Sequence, residues 1–199
     1  MYANQYSLGG YYTGLAGWEF SIEGYYKQMR HILEYQDGVS FFGTSTNWEE
    51  KVEMGEGRSF GLEMMVQKTL GKTTGWLAYT LAKTDHRFKD GAISQGKWFP
   101  YKYDRRHTIS LCLNHKFSER IDVGASWIFN TGGCITVPER ETIIIRPEGN
   151  IESAPYISRR NNYRLPASHR LNLGINFNKK TKHGMRTWNI SLYNAYNAM

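Results

Sequence analysis

Ile121-Asp122-Val123-Gly124-Ala125-Ser126-Trp127-Ile128-Phe129-Asn130 alternates in a way that only an extended strand can use. Ile121, Val123, Ala125, Trp127 and Phe129 fall on one parity, and Asp122, Gly124, Ser126, Ile128 and Asn130 on the other. A period of two puts one set on each face of an extended chain, whereas a helix would scatter both around its circumference. The alternation recurs in both directions. Upstream it runs through Trp18, Phe20, Ile22 and Tyr26, through Phe60, Leu62, Met64 and Val66, and through Ile109, Leu111 and Leu113. Downstream it runs through Leu171, Leu173, Ile175 and Phe177 and through Trp188, Ile190 and Leu192. Residues 76–84 predict another strand, of open phase because Leu77, Tyr79 and Leu81 oppose Trp76. Residues 5–13 predict a weaker first strand, diluted by Gly9 and Gly10. The chain therefore reads as all-β, with about eight strands.

The connectors alternate in length. Short ones fall near Gly14–Gly17, Gly71–Thr74, Ser118–Arg120 and Lys179–Met185, and long ones near Arg30–Gly57, Asp85–Arg105 and Gly132–Ser168. Consecutive strands are then antiparallel, up and down. Pro100, Pro138, Pro147, Pro155 and Pro166 all fall in long connectors, as expected of a residue that cannot donate to a sheet ladder. Short turns at one end and long loops at the other are the pattern of a transmembrane β-barrel, whose long loops, here around Gly91 and Gly149, face outward. Trp18, Trp76, Trp188, Phe117 and Phe177 lie beside short turns, where an aromatic girdle belongs. Phe60, Leu62, Val66, Val123, Trp127, Leu173, Ile175, Ile190 and Leu192 are expected to face lipid. Ser110, Asn114, Ser126, Asn172 and Asn176 are expected to face the lumen.

Composition agrees with this. Mean hydropathy is −0.58 although aromatics reach 15%, a mix that suits alternating strands better than a compact soluble core. No apolar run approaches the roughly 18 residues of a membrane helix, so a span would have to be a barrel. The net charge of +7 is spread along the chain, mostly between apolar segments and often beside Asp or Glu, so no nucleic-acid face is read from it. Cys112 and Cys134 make neither a zinc motif nor a disulfide scaffold.

Enzyme chemistry is weighed and set aside. Asp104, Arg105, Arg106 and His107 resemble an acid–base cluster, but at the entry of a long loop into a strand they read more simply as loop-anchoring ion pairs or lumen-lining groups. His169 and Arg170 hold the equivalent place on another strand. His115 and His183 have no ligand-spaced partners, so no metal site or cofactor is expected. Gly132-Gly133 precedes no helix pattern and makes a poor phosphate loop. The candidates for ligand contact are the aromatic run Trp98, Phe99, Tyr101 and Tyr103, with Arg105 and Arg106 beside it. Exposed rings on loops stack on sugars, chelates or peptides; the plainer alternative is packing against the rim.

The start, Met1-Tyr2-Ala3-Asn4-Gln5, shows no basic segment followed by an apolar one, which leaves either a cytoplasmic chain or an internal fragment of an exported protein. Several blocks then resemble the C-terminal barrel region of TonB-dependent outer-membrane receptors, in the group with a carboxypeptidase-regulatory-like N-terminal domain. They are Gly57-Arg58-Ser59-Phe60-Gly61-Leu62-Glu63, Gly75-Trp76-Leu77-Ala78-Tyr79-Thr80-Leu81, Phe99-Pro100-Tyr101-Lys102-Tyr103-Asp104-Arg105-Arg106-His107, Asn130-Thr131-Gly132-Gly133, Asn162 to Leu171, and Ser191 to Asn197. The resemblance implies a barrel of about 22 strands closed by a plug, with uptake energised by TonB, ExbB and ExbD acting through that plug. Outer-membrane lipid and a surface lipoprotein are the other partners it implies. The chain would supply about a third of such a barrel. It lacks the family's plug, TonB box, signal peptide and terminal aromatic, with Met199 standing where the family continues, so a fragment is expected. The function implied is uptake of a scarce ligand such as a metal chelate, glycan or peptide. The alternative is a small self-closed barrel of eight strands, non-transporting in the outer membrane or soluble and ligand-binding.

Overall fold

The computed structural model describes residues 1–37, 47–91, 93–145 and 151–197; Pro147, Gly149 and Met199 lie outside the described residues. Its strands are β1 (Tyr2–Leu15), β2 (Trp18–Tyr35), β3 (Val52–Lys68), β4 (Thr73–Arg87), β5 (Phe99–Pro100), β6 (His107–Lys116), β7 (Ile121–Asn130), β8 (Cys134–Ile135), β9 (Arg140–Ile145), β10 (Ile151–Tyr156), β11 (Tyr163–Arg164), β12 (Ser168–Thr181) and β13 (Gly184–Leu192). The eight long ones form one antiparallel sheet in the order β1-β2-β3-β4-β6-β7-β12-β13, with β5 added to β4. Among the described residues β1 pairs only with β2 and β13 only with β12. The sheet is an open arc, and the eight strands do not close on themselves as the self-closed alternative required.

Register turns the sequence alternation into two continuous faces. Tyr12, Phe20, Val66, Leu77, Leu111, Trp127 and Leu171 form one row across seven strands, each directly opposite the next. Leu173 and Ile175 carry the apolar face onto Leu192 and Ile190. The opposite parity is laced by side-chain amides. Asp122 accepts from Asn176 at 2.7 Å and Asn178 at 2.6 Å, Asn176 accepts from Asn189 at 2.7 Å, Asn178 accepts from Thr187 at 2.7 Å, and Asn172 donates to Ser126 at 3.2 Å. These cross-strand pairs hold register on the polar face. The apolar face stays uncovered: Trp188, Ile190 and Leu192 are 62%, 65% and 56% exposed. A single sheet layer has no second layer to pack on, so its apolar side needs an external apolar solvent.

The short-turn end carries the girdle. Gly17, at φ +77°, makes the two-residue turn between β1 and β2. Trp18 and Trp188 stand on the apolar face beside cations, Lys68 at 5.4 Å and Arg186 at 5.0 Å from the ring centres, and Phe177 lies opposite Trp188. Trp76 does not belong to this belt. Because Leu77, Tyr79 and Leu81 take the apolar parity of β4, Trp76 turns to the polar face between Gln67 and Cys112.

At the long-loop end β2 and β3 run further than the hydrophobic pattern does. The ladder continues from Arg30↔Glu56 to Tyr35↔Val52, past an irregularity where His31 takes φ 54°. Arg30, Glu34, Glu53 and Glu56 interrupt the apolar residues there and the register shift breaks the period of two, yet residues 30–35 and 52–57, expected as connector, are paired strand. The described residues bury few hydrophobic side chains. Ile32, Phe88, Ile93 and Phe99 form a cluster on this rim, with Met29 against it.

Candidate functional site

The rim is tied together around one carboxylate. Asp104 is 3% exposed. It accepts from the Thr84 backbone N–H at 2.7 Å and from the Arg164 guanidinium, and Arg106 stands 3.6 Å away. Arg164 also donates to the carbonyls of Asp104, at 2.5 Å, and Gly132, at 2.8 Å. Around this pair the backbones interlock: Cys134 N–H donates to Lys102 O and Leu165 N–H to Gly133 O, each at 2.9 Å. A side chain on Gly132 would meet Leu165 O at 2.1 Å, so this residue is glycine because two chains touch there. The sequence blocks 99–107, 130–133 and 162–171, far apart along the chain, are thus one structural unit.

A second tie lies beside it. The Arg160 guanidinium donates to Asp37 and to the Tyr35 carbonyl, and its backbone N–H donates to Ser94 Oγ at 2.9 Å. Ser94 N–H in turn donates to Asp37 at 2.9 Å, and Asn161 donates to Pro100 O at 2.7 Å. Further out, Glu139 accepts from Ser158 and, at 2.9 Å, from Asn162. Those hydrogen bonds hold its carboxyl below the usual glutamate range, the Ser158 bond being the larger cause. Burial pushes the Cys134 thiol up, against the pull of Arg164. Cys112 and Cys134 are both free.

The expected contact residues divide among three settings. Trp98 lies against Arg58 and Arg87, 4.3 and 4.8 Å from its ring centre, and both arginines have the parity of Phe60, on the apolar side of the wall. Phe99 is 3% exposed and packs on Phe88, so its ring serves the rim cluster and is not offered to a ligand. Tyr101 stacks on His86 at 4.4 Å, on the polar parity of β4, and Tyr103 meets Tyr101 edge-on at 5.4 Å. Tyr103 is 67% exposed, with Lys102 4.9 Å from its ring centre. Arg105 is exposed, and Arg106 is turned toward Asp104.

Asp104 and His107 are not brought together as an acid–base pair. Donors surround Asp104, while His107 Nδ1 shares a 2.8 Å hydrogen bond with Tyr79 Oη on the apolar parity of β4. The anchoring role expected of the Asp104 cluster is the one the geometry has. Arg164, Arg160, Asp37 and His86 were not singled out in sequence, because nothing in the spacing of a loop says which distant segment it will touch. Among the described residues no group of three or more His, Cys, Asp or Glu is placed to hold a metal.

No curated protein matches the sequence significantly. The family model described as "TonB dependent receptor-like, beta-barrel" matches residues 1–198. That match covers nearly the whole chain, and an all-β antiparallel sheet that is not closed is consistent with part of a larger barrel. The chain belongs to the TonB-dependent receptor-like β-barrel family, a family of outer-membrane receptors and transporters.

Proposed function

We propose that this chain is about a third of the wall of a TonB-dependent outer-membrane receptor, in a barrel of about 22 strands that takes up a scarce ligand such as a metal chelate, glycan or peptide. The observation that carries the reading is the segregation of the two faces: an uncovered apolar row opposite a hydrogen-bonded amide lattice. An apolar exterior and a polar, wet interior are what a wide transport barrel needs. Long loops then lie outside the cell, and the plug, with TonB, ExbB and ExbD, acts from the short-turn side.

First contact with the ligand falls to Tyr101 and Tyr103, with Arg105 and Arg106 beside them. The two rings meet edge to face at the mouth on the polar side of β4, and ring faces of this kind take sugars, chelates or peptide side chains. The test uses cells whose only copy of the full-length receptor carries Tyr101→Ala and Tyr103→Ala, grown on limiting ferric chelates, oligosaccharides or peptides. Wild-type cells should grow on one of these only when TonB is intact, and the double variant should need about tenfold more of it, the loss of two ring contacts. Growth on every nutrient that ignores both TonB and the two tyrosines would overturn the proposal.

A further inference from the structure

Above its apolar band, the same face of the wall turns cationic. Phe60 lies opposite Lys83, Arg58 opposite Asp85 and Glu56 opposite Arg87, so all of these stand on the apolar parity. Arg58 and Lys83 both approach Asp85 at 3.2 Å, while Arg87 at 2.8 Å and Lys89 at 3.6 Å approach Glu56. Four cations thus meet two carboxylates, leaving positive charge in excess, and Trp98 lies against two of them.

Height on the wall gives this patch its meaning. Lys68, at the short-turn end of β3, and Arg58 bound the apolar run Phe60, Leu62, Met64 and Val66. Their separation along the strand is about 33 Å, or about 23 Å along the membrane normal at a 45° tilt, close to the apolar band of about 25 Å of an outer-membrane barrel. Arg58 and Lys83 therefore stand where the hydrocarbon ends and headgroups begin. Directly below them the face is grooved. A Cβ on Gly24 would meet nothing within 4 Å, and the resulting groove, about 640 Å³, is lined by Leu8, Tyr26, Phe60, Leu62 and Leu81, with Lys83 at its upper end.

We propose that this part of the wall binds one anionic lipid of the outer leaflet, its acyl chain in the groove over Gly24 and its phosphate on Arg58 and Lys83. The groove accounts for the chain and the excess charge for the headgroup. Charge complementarity selects a phosphate at the membrane surface, and apolar burial fixes its source as a lipid and not a free anion. The inference rests on the membrane-spanning reading above.

The experiment uses the full-length receptor in phosphatidylcholine vesicles doped with lipid A, a diphosphorylated glycolipid, and counts lipid A retained per receptor by native mass spectrometry. Wild type should retain lipid A over phosphatidylcholine, and inorganic phosphate should not displace it. Lys83→Gln, which leaves Arg58 on Asp85, should weaken retention about fivefold. Gly24→Leu fills the groove without touching a charge and should weaken it as well. Equal retention by wild type and both variants, or displacement by inorganic phosphate, overturns the proposal. An Ile190→Cys receptor in the same vesicles separates the two levels. If a water-soluble maleimide labels it freely, the membrane reading itself fails; if it is shielded while lipid A is retained indifferently, only the lipid site fails.

Discussion

Along the wall, seven strands contribute one apolar residue each to the row from Tyr12 to Leu171, and among the described residues no second layer covers that row. At the rim, by contrast, three segments distant in sequence converge on Asp104, which is 3% exposed and surrounded by donors. The wall uses a class of residue, repeated, and finds its solvent outside the molecule. The rim uses particular residues once each, and makes its own dry interior. A class can be exchanged for another member of itself; an identity cannot. Substitutions in the wall should accordingly be judged by face and depth, and those in the rim by the partner that is orphaned.

The largest effect is expected at the rim. Asp104→Ala removes the acceptor for Thr84 N–H and the counter-charge of Arg164, and leaves Arg106 beside an apolar group. Orphaning the Thr84 N–H alone costs about 1–3 kcal/mol, two partly exposed guanidiniums lose their carboxylate as well, and the whole cost falls on the packing of the loops while the strand ladder is untouched. Limited proteolysis of the full-length receptor should cut within residues 131–167 of the variant and spare the wall, whose heat-modifiable band on a gel is unchanged. If those loops stay as resistant as in wild type, the rim is not built on this carboxylate.

The wall answers to depth. Leu62, midway between Lys68 and Arg58 on β3, meets the centre of the apolar band. Leu62→Arg should destabilise the inserted barrel by about 2–4 kcal/mol, the cost of a cation at the bilayer midplane. Glu63→Arg, one residue away on the polar face, should cost little, because the lumen is wet. The measurement is the denaturant midpoint of the receptor folded into phosphatidylcholine vesicles. Equal losses for the two variants would break the distinction between the faces.

The two regions were unequally legible in the sequence for the same reason. A strand advertises its faces by local period-two alternation, so six of the eight long strands could be read from neighbours two residues apart, residues 76–84 and 5–13 less clearly, and the antiparallel order followed from the alternation of short and long connectors. Where that signal stops, local sequence no longer specifies the face. Trp76 stands near a turn as a girdle residue would, yet its parity puts it on the polar face. Residues 30–35 and 52–57 mix charged with apolar residues and shift register, so no clean period marks them as strand although they are paired. At the rim the aromatic run was visible, but whether a ring faces a ligand or a neighbour depends on the register of β5 against β4. Two adjacent residues, Trp98 and Phe99, go to opposite sides for that reason. Arg164 could not be matched to Asp104 at all, since long-range ion pairs leave no local pattern.

The smallest expected effect is the response of the outermost loop to acid, where the rim's logic of specific partners meets full solvent. Glu139 accepts hydrogen bonds from Ser158 and Asn162, which hold its carboxyl below the usual glutamate range. A carboxyl whose folded pKa is lowered contributes stability that is fully present above the ordinary value and is lost as pH falls through the folded one. The tether from Glu139 to residues 158–162 should therefore hold near neutrality and loosen as pH falls from about 6 toward about 3. Hydrogen exchange reads it at the Glu139 N–H, bonded to Tyr156 O at 2.9 Å, and at the Val137 N–H, bonded to Asn162 at 2.9 Å. The control is Glu139→Gln, whose amide oxygen still accepts from both donors but cannot titrate. At each pH the ratio of exchange in wild type to that in this variant cancels the intrinsic pH dependence of exchange. Protection in the wild type should fall relative to the variant on acidification, and a ratio that stays flat across the window would mean that the carboxylate's charge does nothing for the loop.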